Sequence, residues 1–116
     1  MKVYHNPSCS KSRLCLDFLT QKKVDFEIVN YLKNPLSKVE LLELLRKLKK
    51  NPSELVRRNE EVFKEAKKGT VLTEDEILQL MLDHPKLIER PIVEMNGKAV
   101  LARPIENLES FLQIIE

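Results

Sequence analysis

The sequence predicts an α/β protein in the order βαβ, a helical insert, then ββα, and three observations carry that reading. A strand-like KVYH (2–5) runs into a helical pattern and then a second alternating stretch. A block with helical periodicity fills about 37–84. Near the end, two short apolar runs flank Asn96-Gly97 and lead into a last amphipathic stretch.

Each element has its own local reason. KSRLCLDFLTQK (11–22) places Leu14, Cys15, Phe18 and Leu19 at helical spacing. VDFEIVN (24–30) alternates Val24, Phe26 and Ile28 against Asp25, Glu27 and Val29, as a strand does. A strand-helix-strand unit implies a parallel pair with a right-handed crossover. From Ser37 the period becomes helical, with Val39, Leu41, Leu42, Leu44, Leu45 and Leu48, and Ser37 with Glu40 makes a capping box. Shorter helices follow at about 53–57 and 60–67, broken by Gly69, and Thr73 with Glu76 repeats the box before EILQLMLDH. IVEM (92–95) and KAVL (98–101) around Asn-Gly read as a two-residue hairpin. Pro104 starts the final helix, with Ile105, Leu108, Phe111, Leu112 and Ile115 on one face.

A chain of 116 residues suits one domain, 1–116, with the insert inside it. With 42% hydrophobic and 33% charged residues it can bury a core and keep a solvated surface. Twenty Lys and Arg against eighteen Asp and Glu leave +2, distributed along the helices rather than pooled, so no nucleic acid is expected as a partner. Met1 leads straight into KVYH without a basic-then-apolar leader, and no apolar run approaches the ~20 residues of a membrane span. The expectation is a cytoplasmic monomer with no membrane partner. Two cysteines, Cys9 and Cys15, are too few for a disulfide scaffold, and with two distant histidines they make no metal-ligand spacing.

Cys9 falls where the first strand ends and the first helix begins. The free N–H groups of residues 10–12 and the positive end of the helix dipole favour its thiolate, the reactive form. Arg13 and Lys11 lie in the first turn and His5 stands four residues upstream, so positive charge is at hand. Position alone leaves two readings open: a small residue in a tight turn, or a nucleophile. Cys15 is six residues on, roughly 9 Å along the helix, beyond the ~7 Å reach of a disulfide, and reads as core.

Three arginines stand in distinctive settings: Arg57 in ELVRRN, Arg90 in IERPIV and Arg103 in LARPIE. Arg90 and Arg103 each precede a proline, which favours extended backbone, and they bracket the hairpin at its open end. Converging guanidinium groups would cradle a tetrahedral oxyanion through paired N–H contacts. Taken singly, each is equally a solvated or salt-bridged side chain.

With HNPSCSKSR, LVRRN, ERPIV and LARPIENL in order, the chain resembles the arsenate reductases that work with glutathione and glutaredoxin, over essentially its whole length. The resemblance implies a thioredoxin-like fold and an oxidoreductase of arsenical resistance. It implies Cys9 as the nucleophile toward arsenate, His5 as an aid to thiol ionisation, and Ser12 and Arg13 as loop residues of the catalytic set. It implies Arg57, Arg90 and Arg103 as ligands of the oxyanion, with Asn59 favouring Arg57 over Arg58, and Pro91 as the cis-proline of such folds. Glutathione enters as co-substrate, glutaredoxin as partner, and no metal or bound cofactor is needed.

The same superfamily holds two rivals. One is a glutathione-dependent thiol-disulfide reductase using the same cysteine. The other is an Spx-type redox-responsive transcriptional regulator, but such proteins generally carry CxxC where this chain has Cys9-Ser10-Lys11-Ser12, and tend to lack the arginine present here as Arg103. The thioredoxin-coupled arsenate reductases need Cys-x5-Arg, and Cys15 stands where that arginine would be.

Overall fold

The computed structural model describes residues 1–115, the side chain of Ile115 excepted, so the inward position expected of Ile115 lies outside the described residues. Two compact units emerge: Met1–Asn34 together with the segment from Arg90 onward, and Pro35–Glu89.

The first unit is a four-stranded sheet with helices. Strands β1 (Lys2–Tyr4) and β2 (Glu27–Val29) are parallel and joined through helix α1 (Ser10–Gln21). Strand β3 (Ile92–Met95) is antiparallel to both β1 and β4 (Lys98–Leu101), and the order across the sheet is β2-β1-β3-β4. Asn96 and Gly97 both have positive φ, 54° and 77°, as the expected two-residue turn requires. Val3 and Val93 on one face meet Cys15 and Leu19 of α1 and Leu108 and Phe111 of the last helix in one buried cluster.

Three expectations for this unit fail in detail. The second strand is only Glu27–Val29, and Ile28 is half exposed because β2 is a sheet edge, outside that cluster; Val24 and Phe26 pack against the cluster from the turn before it. On α1 the buried stripe is Ser12, Cys15 and Leu19, and Leu14, expected inside, is 49% exposed. The terminal helix spans Glu106–Ile115 and starts two residues after Pro104. Both Arg90-Pro91 and Arg103-Pro104 are cis, and Pro104 and Ile105 instead form turns whose carbonyls accept from the N–H groups of Asn107 and Leu108.

The second unit runs a few residues beyond the expected insert at each end. Helix α2 (Lys38–Leu48) opens with the Ser37–Glu40 capping box in both directions, and its buried stripe is Leu41, Leu44, Leu45 and Leu48. Val39 and Leu42 are exposed, outside that stripe. Helix α3 (Pro52–Leu55) is a single turn rather than 53–57, because Val56 turns extended and bridges Ile88. Hydrogen bonds from Arg57 N–H to the Leu87 carbonyl (2.7 Å) and from Glu89 N–H to the Leu55 carbonyl (3.0 Å) flank that bridge. Helices α4 (Glu61–Lys67) and α5 (Glu74–Asp83) complete the unit, α5 opened by the Thr73–Glu76 box, with a 3₁₀ turn at Pro85–Leu87. Helix α6 (Glu106–Ile115), the terminal helix, belongs to the first unit. No described helix is long and apolar enough to cross a membrane.

Candidate active site

The loop from His5 to Ser10 is stitched by its own polar groups. The Asn6 carbonyl accepts from the Cys9 N–H (2.9 Å), its side-chain Oδ1 accepts from the Ser8 N–H (2.9 Å), and its own N–H approaches the buried Ser12 Oγ (3.4 Å). From the helix side, the Arg13 guanidinium donates to the Pro7 carbonyl at 3.0 Å. Asn6 has no role among the residues singled out above, yet it is buried and bonds three neighbours. The signal was present: Asn before Pro favours turns in which the side chain bonds backbone two residues on.

Cys9 is the N-cap residue of α1, with extended backbone (φ −98°, ψ 122°), and its carbonyl accepts from Arg13 N–H at 3.1 Å. Its thiol makes no tight capping bond of the kind a serine forms there; polar groups ring it more loosely and favour its anion. Partial burial pushes the thiol pKa up. Against that act the Ser12 N–H, the Arg90 guanidinium, the Lys11 N–H and the Ser12 hydroxyl, and together they bring it down to about 7. Ser12 Oγ takes the Asn6 N–H as acceptor, which leaves its own proton for the Cys9 sulfur.

Arg90 reaches Cys9 from the far end of the chain because it enters β3 beside β1. Arg103 follows it across the hairpin: Ile92 pairs with Leu101, the Ala102 N–H donates to the Pro91 carbonyl (2.9 Å), and Arg103 Nη1 lies 3.5 Å from the Arg90 carbonyl. The two arginines that bracket the hairpin thus end side by side, half-buried, with the buried Pro91 between the cis bond and β3.

Two expected participants behave differently. His5 is buried, and desolvation, then the Arg13 charge, lower its pKa below the ordinary histidine value, so the ring is neutral at pH 7 and adds no positive charge to the thiolate. Its Nδ1 makes no hydrogen bond. Arg57 belongs to the second unit, where Glu89 (3.1 Å) and Glu60 (3.6 Å) hold its guanidinium; neither carboxylate was singled out in the sequence. Its neighbour Arg58 donates to the Ser53 carbonyl and lies over the Phe63 ring.

Cys15 is fully buried in the core of the first unit, and burial pushes its thiol up to about 12. Both cysteines are free. Among the described residues, no cluster of three His, Cys, Asp or Glu side chains is placed to hold a metal ion. What the first unit assembles is therefore an activated thiol beside the Arg90 guanidinium, with Arg103 reaching the Arg90 carbonyl, suited to attack on an anionic electrophile.

Known proteins are similar to this chain over nearly its whole length. The chain is 44% identical over 110 residues to Escherichia coli K12 YfgD, named as an uncharacterized protein, covering 93% of this chain and 92% of the relative. It is 40% identical over 114 residues to a Neisseria meningitidis protein named arsenate reductase, covering 97% of each. The solved structure titled arsenate reductase from Vibrio cholerae superposes with a TM-score of 0.85 at 41% identity, covering 94% of this chain and 97% of that one. The fold is accordingly α/β and thioredoxin-like. With the model of the ArsC family matching residues 4–111, from the end of β1 into α6, the chain belongs to the ArsC family.

Proposed function

We propose that this protein is an arsenate reductase in which Cys9 is the nucleophile and glutathione with glutaredoxin supplies the electrons. The observation that carries the reading is the Cys9 thiol, brought to about 7 at the start of α1 with the Arg90 guanidinium beside it. Family membership and the names of relatives support the substrate.

In this scheme the Cys9 thiolate displaces one arsenate oxygen, which leaves as water, and an S–As(V) bond forms. Arg90 and Arg103 neutralise the oxyanion, their planar forks matching its paired oxygens. Arg57's part in that binding rests on the resemblance alone. The glutathione thiol then attacks the Cys9 sulfur. The S–As electron pair stays on arsenic, which leaves as arsenite, two thiol sulfurs having been oxidised to the Cys9–glutathione disulfide. Glutaredoxin takes the glutathionyl group and restores Cys9. Ser12 and Arg13 act on this chemistry by holding the loop, and His5 does so as a neutral, buried ring rather than as a cation. The chain needs no bound cofactor, and the cytoplasm, where thiols stay reduced, suits the reaction.

The test is arsenate-dependent NADPH oxidation coupled through glutathione, glutaredoxin and glutathione reductase. Turnover with the wild type that vanishes in Cys9→Ser is the expected result. Activity retained in Cys9→Ser would reject the mechanism, and reduction of a glutathione mixed disulfide without arsenate turnover would move the assignment to a thiol-disulfide reductase.

A further inference from the structure

A second feature of the first unit adjoins the oxyanion site and shares Arg103 with it. Between the first turns of α1 and the connection from β4 to α6 there is a cavity of about 200 Å³. Its charged lining is Lys11, Arg103 and Glu106, and its apolar lining includes Leu14, Ala102 and Ile105. Leu14 is the α1 residue that sequence periodicity placed inside and the structure leaves half exposed, at this cavity's wall. The cavity joins the surroundings of Cys9 on two sides. The Lys11 N–H is one of the groups that lower the Cys9 thiol, and Arg103 reaches the carbonyl of Arg90, whose guanidinium is another.

The lining specifies a ligand. At about 30 Å³ for each water-sized group, the space takes roughly seven non-hydrogen atoms. Lys11 and Arg103 call for a carboxylate, and Glu106 calls for a cation within the same small volume. An α-amino acid head carries both on one carbon. In a thiol tripeptide such as glutathione, the γ-glutamyl arm ends in that head on two methylenes, which fit the apolar wall.

We propose that this cavity receives the γ-glutamyl head of glutathione while its sulfur reacts with Cys9. The inference rests on Cys9 as the nucleophile of the proposed function, and adds that the chain selects its reductant by the zwitterionic head, not by the thiol.

Arsenate is not needed to test it. Cys9 thiolate attacks one sulfur of glutathione disulfide, a Cys9–glutathione disulfide forms, the original S–S bond breaks, and the second glutathione leaves as thiolate. Mass spectrometry of the whole protein would follow that rate, and in parallel the rate with hydroxyethyl disulfide, which is neutral and has no head. Glu106→Gln should slow the glutathione reaction about fivefold, as fits one partly exposed ion pair, and leave the hydroxyethyl rate within about twofold. Glu106→Asp should restore the preference. Variants that slow both disulfides equally, or neither, would overturn the inference. If wild-type Cys9 reacts with neither disulfide, the nucleophile and the cavity's role fall together. If the preference holds while arsenate turnover is absent, the proposed function fails and the cavity assignment stands.

Discussion

Cys9 and Cys15 are separated by less than two turns of the same helix, and their thiols are shifted in opposite directions. Cys9 sits at the N-cap, half-buried, among N–H groups, a hydroxyl and a guanidinium, and is lowered to about 7. Cys15 sits on the stripe that faces Val3, Val93 and Leu108, with nothing to offset its burial, and is raised to about 12. Burial raises both. What separates them is whether polar groups aimed at the sulfur outweigh it. At the N-terminus of a helix such groups are free because no preceding turn uses them. One and a half turns later the same backbone N–H groups are consumed by the helix itself.

The largest expected effect is on reactivity. At pH 7 the thiolate populations should differ by roughly 10⁴-fold or more, so iodoacetamide should label Cys9 at least ~100-fold faster than Cys15 in the folded protein, with a rate that rises about tenfold per pH unit below 7 and levels off above about 8. Peptide mapping of the labelled chain checks this, and comparable labelling of the two sites would break the comparison. Cys15→Ala should keep its arsenate turnover and lose about 1 kcal/mol of stability through a small cavity in the sheet core. Loss of turnover in a folded Cys15→Ala would instead make Cys15 a participant.

Arg90→Gln tests the part of the contrast that comes from a distant segment. Without the guanidinium the midpoint of Cys9 labelling should move upward toward the ordinary thiol range, while Cys15 stays unlabelled. Arsenate use should fall about tenfold or more, since the variant loses both a thiolate partner and an oxyanion fork. Arg90→Lys should recover part of the labelling shift but little of the oxyanion use. An unchanged midpoint in Arg90→Gln would leave the backbone alone responsible for the lowered thiol.

The two cysteines should also pull stability in opposite directions with pH. Cys9 is an acid whose folded pKa lies below its unfolded value of about 8.5, so its contribution is fully present above about 8.5 and is lost as pH falls toward 7. Cys15 is raised, so its contribution is present below about 8.5 and is lost as pH rises above that. Urea unfolding of wild type against Cys9→Ser should show the wild type gaining by about 1 kcal/mol between pH 7 and 8.5, with Cys15 common to both. A flat difference would mean that the Cys9 thiolate is no better held in the folded state than in the unfolded one.

How much of this was legible beforehand depended on how local the cause is. The Asn96-Gly97 turn, the Ser37 and Thr73 boxes and the position of Cys9 at a strand-to-helix junction follow from residues within a few positions of one another, and the structure has them all. Ile28 and Leu14 obey the periodicity of a buried face, and only the order of strands and the path of α6 decide that neither is covered. Nearness in sequence suggests His5 as a source of charge, but its burial, which lowers its pKa, is a property of the packed unit. The pairing of Arg57 with Glu89 spans 32 residues and lies next to a bridge at Val56, inside the stretch whose periodicity suggests a short helix at 53–57. Arginines bracketing a hairpin could be foreseen as neighbours, whereas the guanidinium of Arg90 beside Cys9 depends on β3 pairing with β1.

The smallest expected effect distinguishes side chain from backbone at the N-cap. Ser12 acts on Cys9 twice, through its N–H, the strongest of the lowering influences, and through its hydroxyl, the weakest of them. Ser12→Ala removes only the second, so the labelling midpoint should rise by less than in Arg90→Gln. The variant also takes away the acceptor of the Asn6 N–H in a fully buried position, where an unmet donor costs about 1–3 kcal/mol. Ser12→Ala should therefore lose stability out of proportion to its small effect on the thiol, whereas Arg90→Gln, at a half-buried site, should do the reverse. If the Ser12→Ala midpoint rises as far as that of Arg90→Gln, the hydroxyl and not the backbone N–H is what sets Cys9 apart from Cys15.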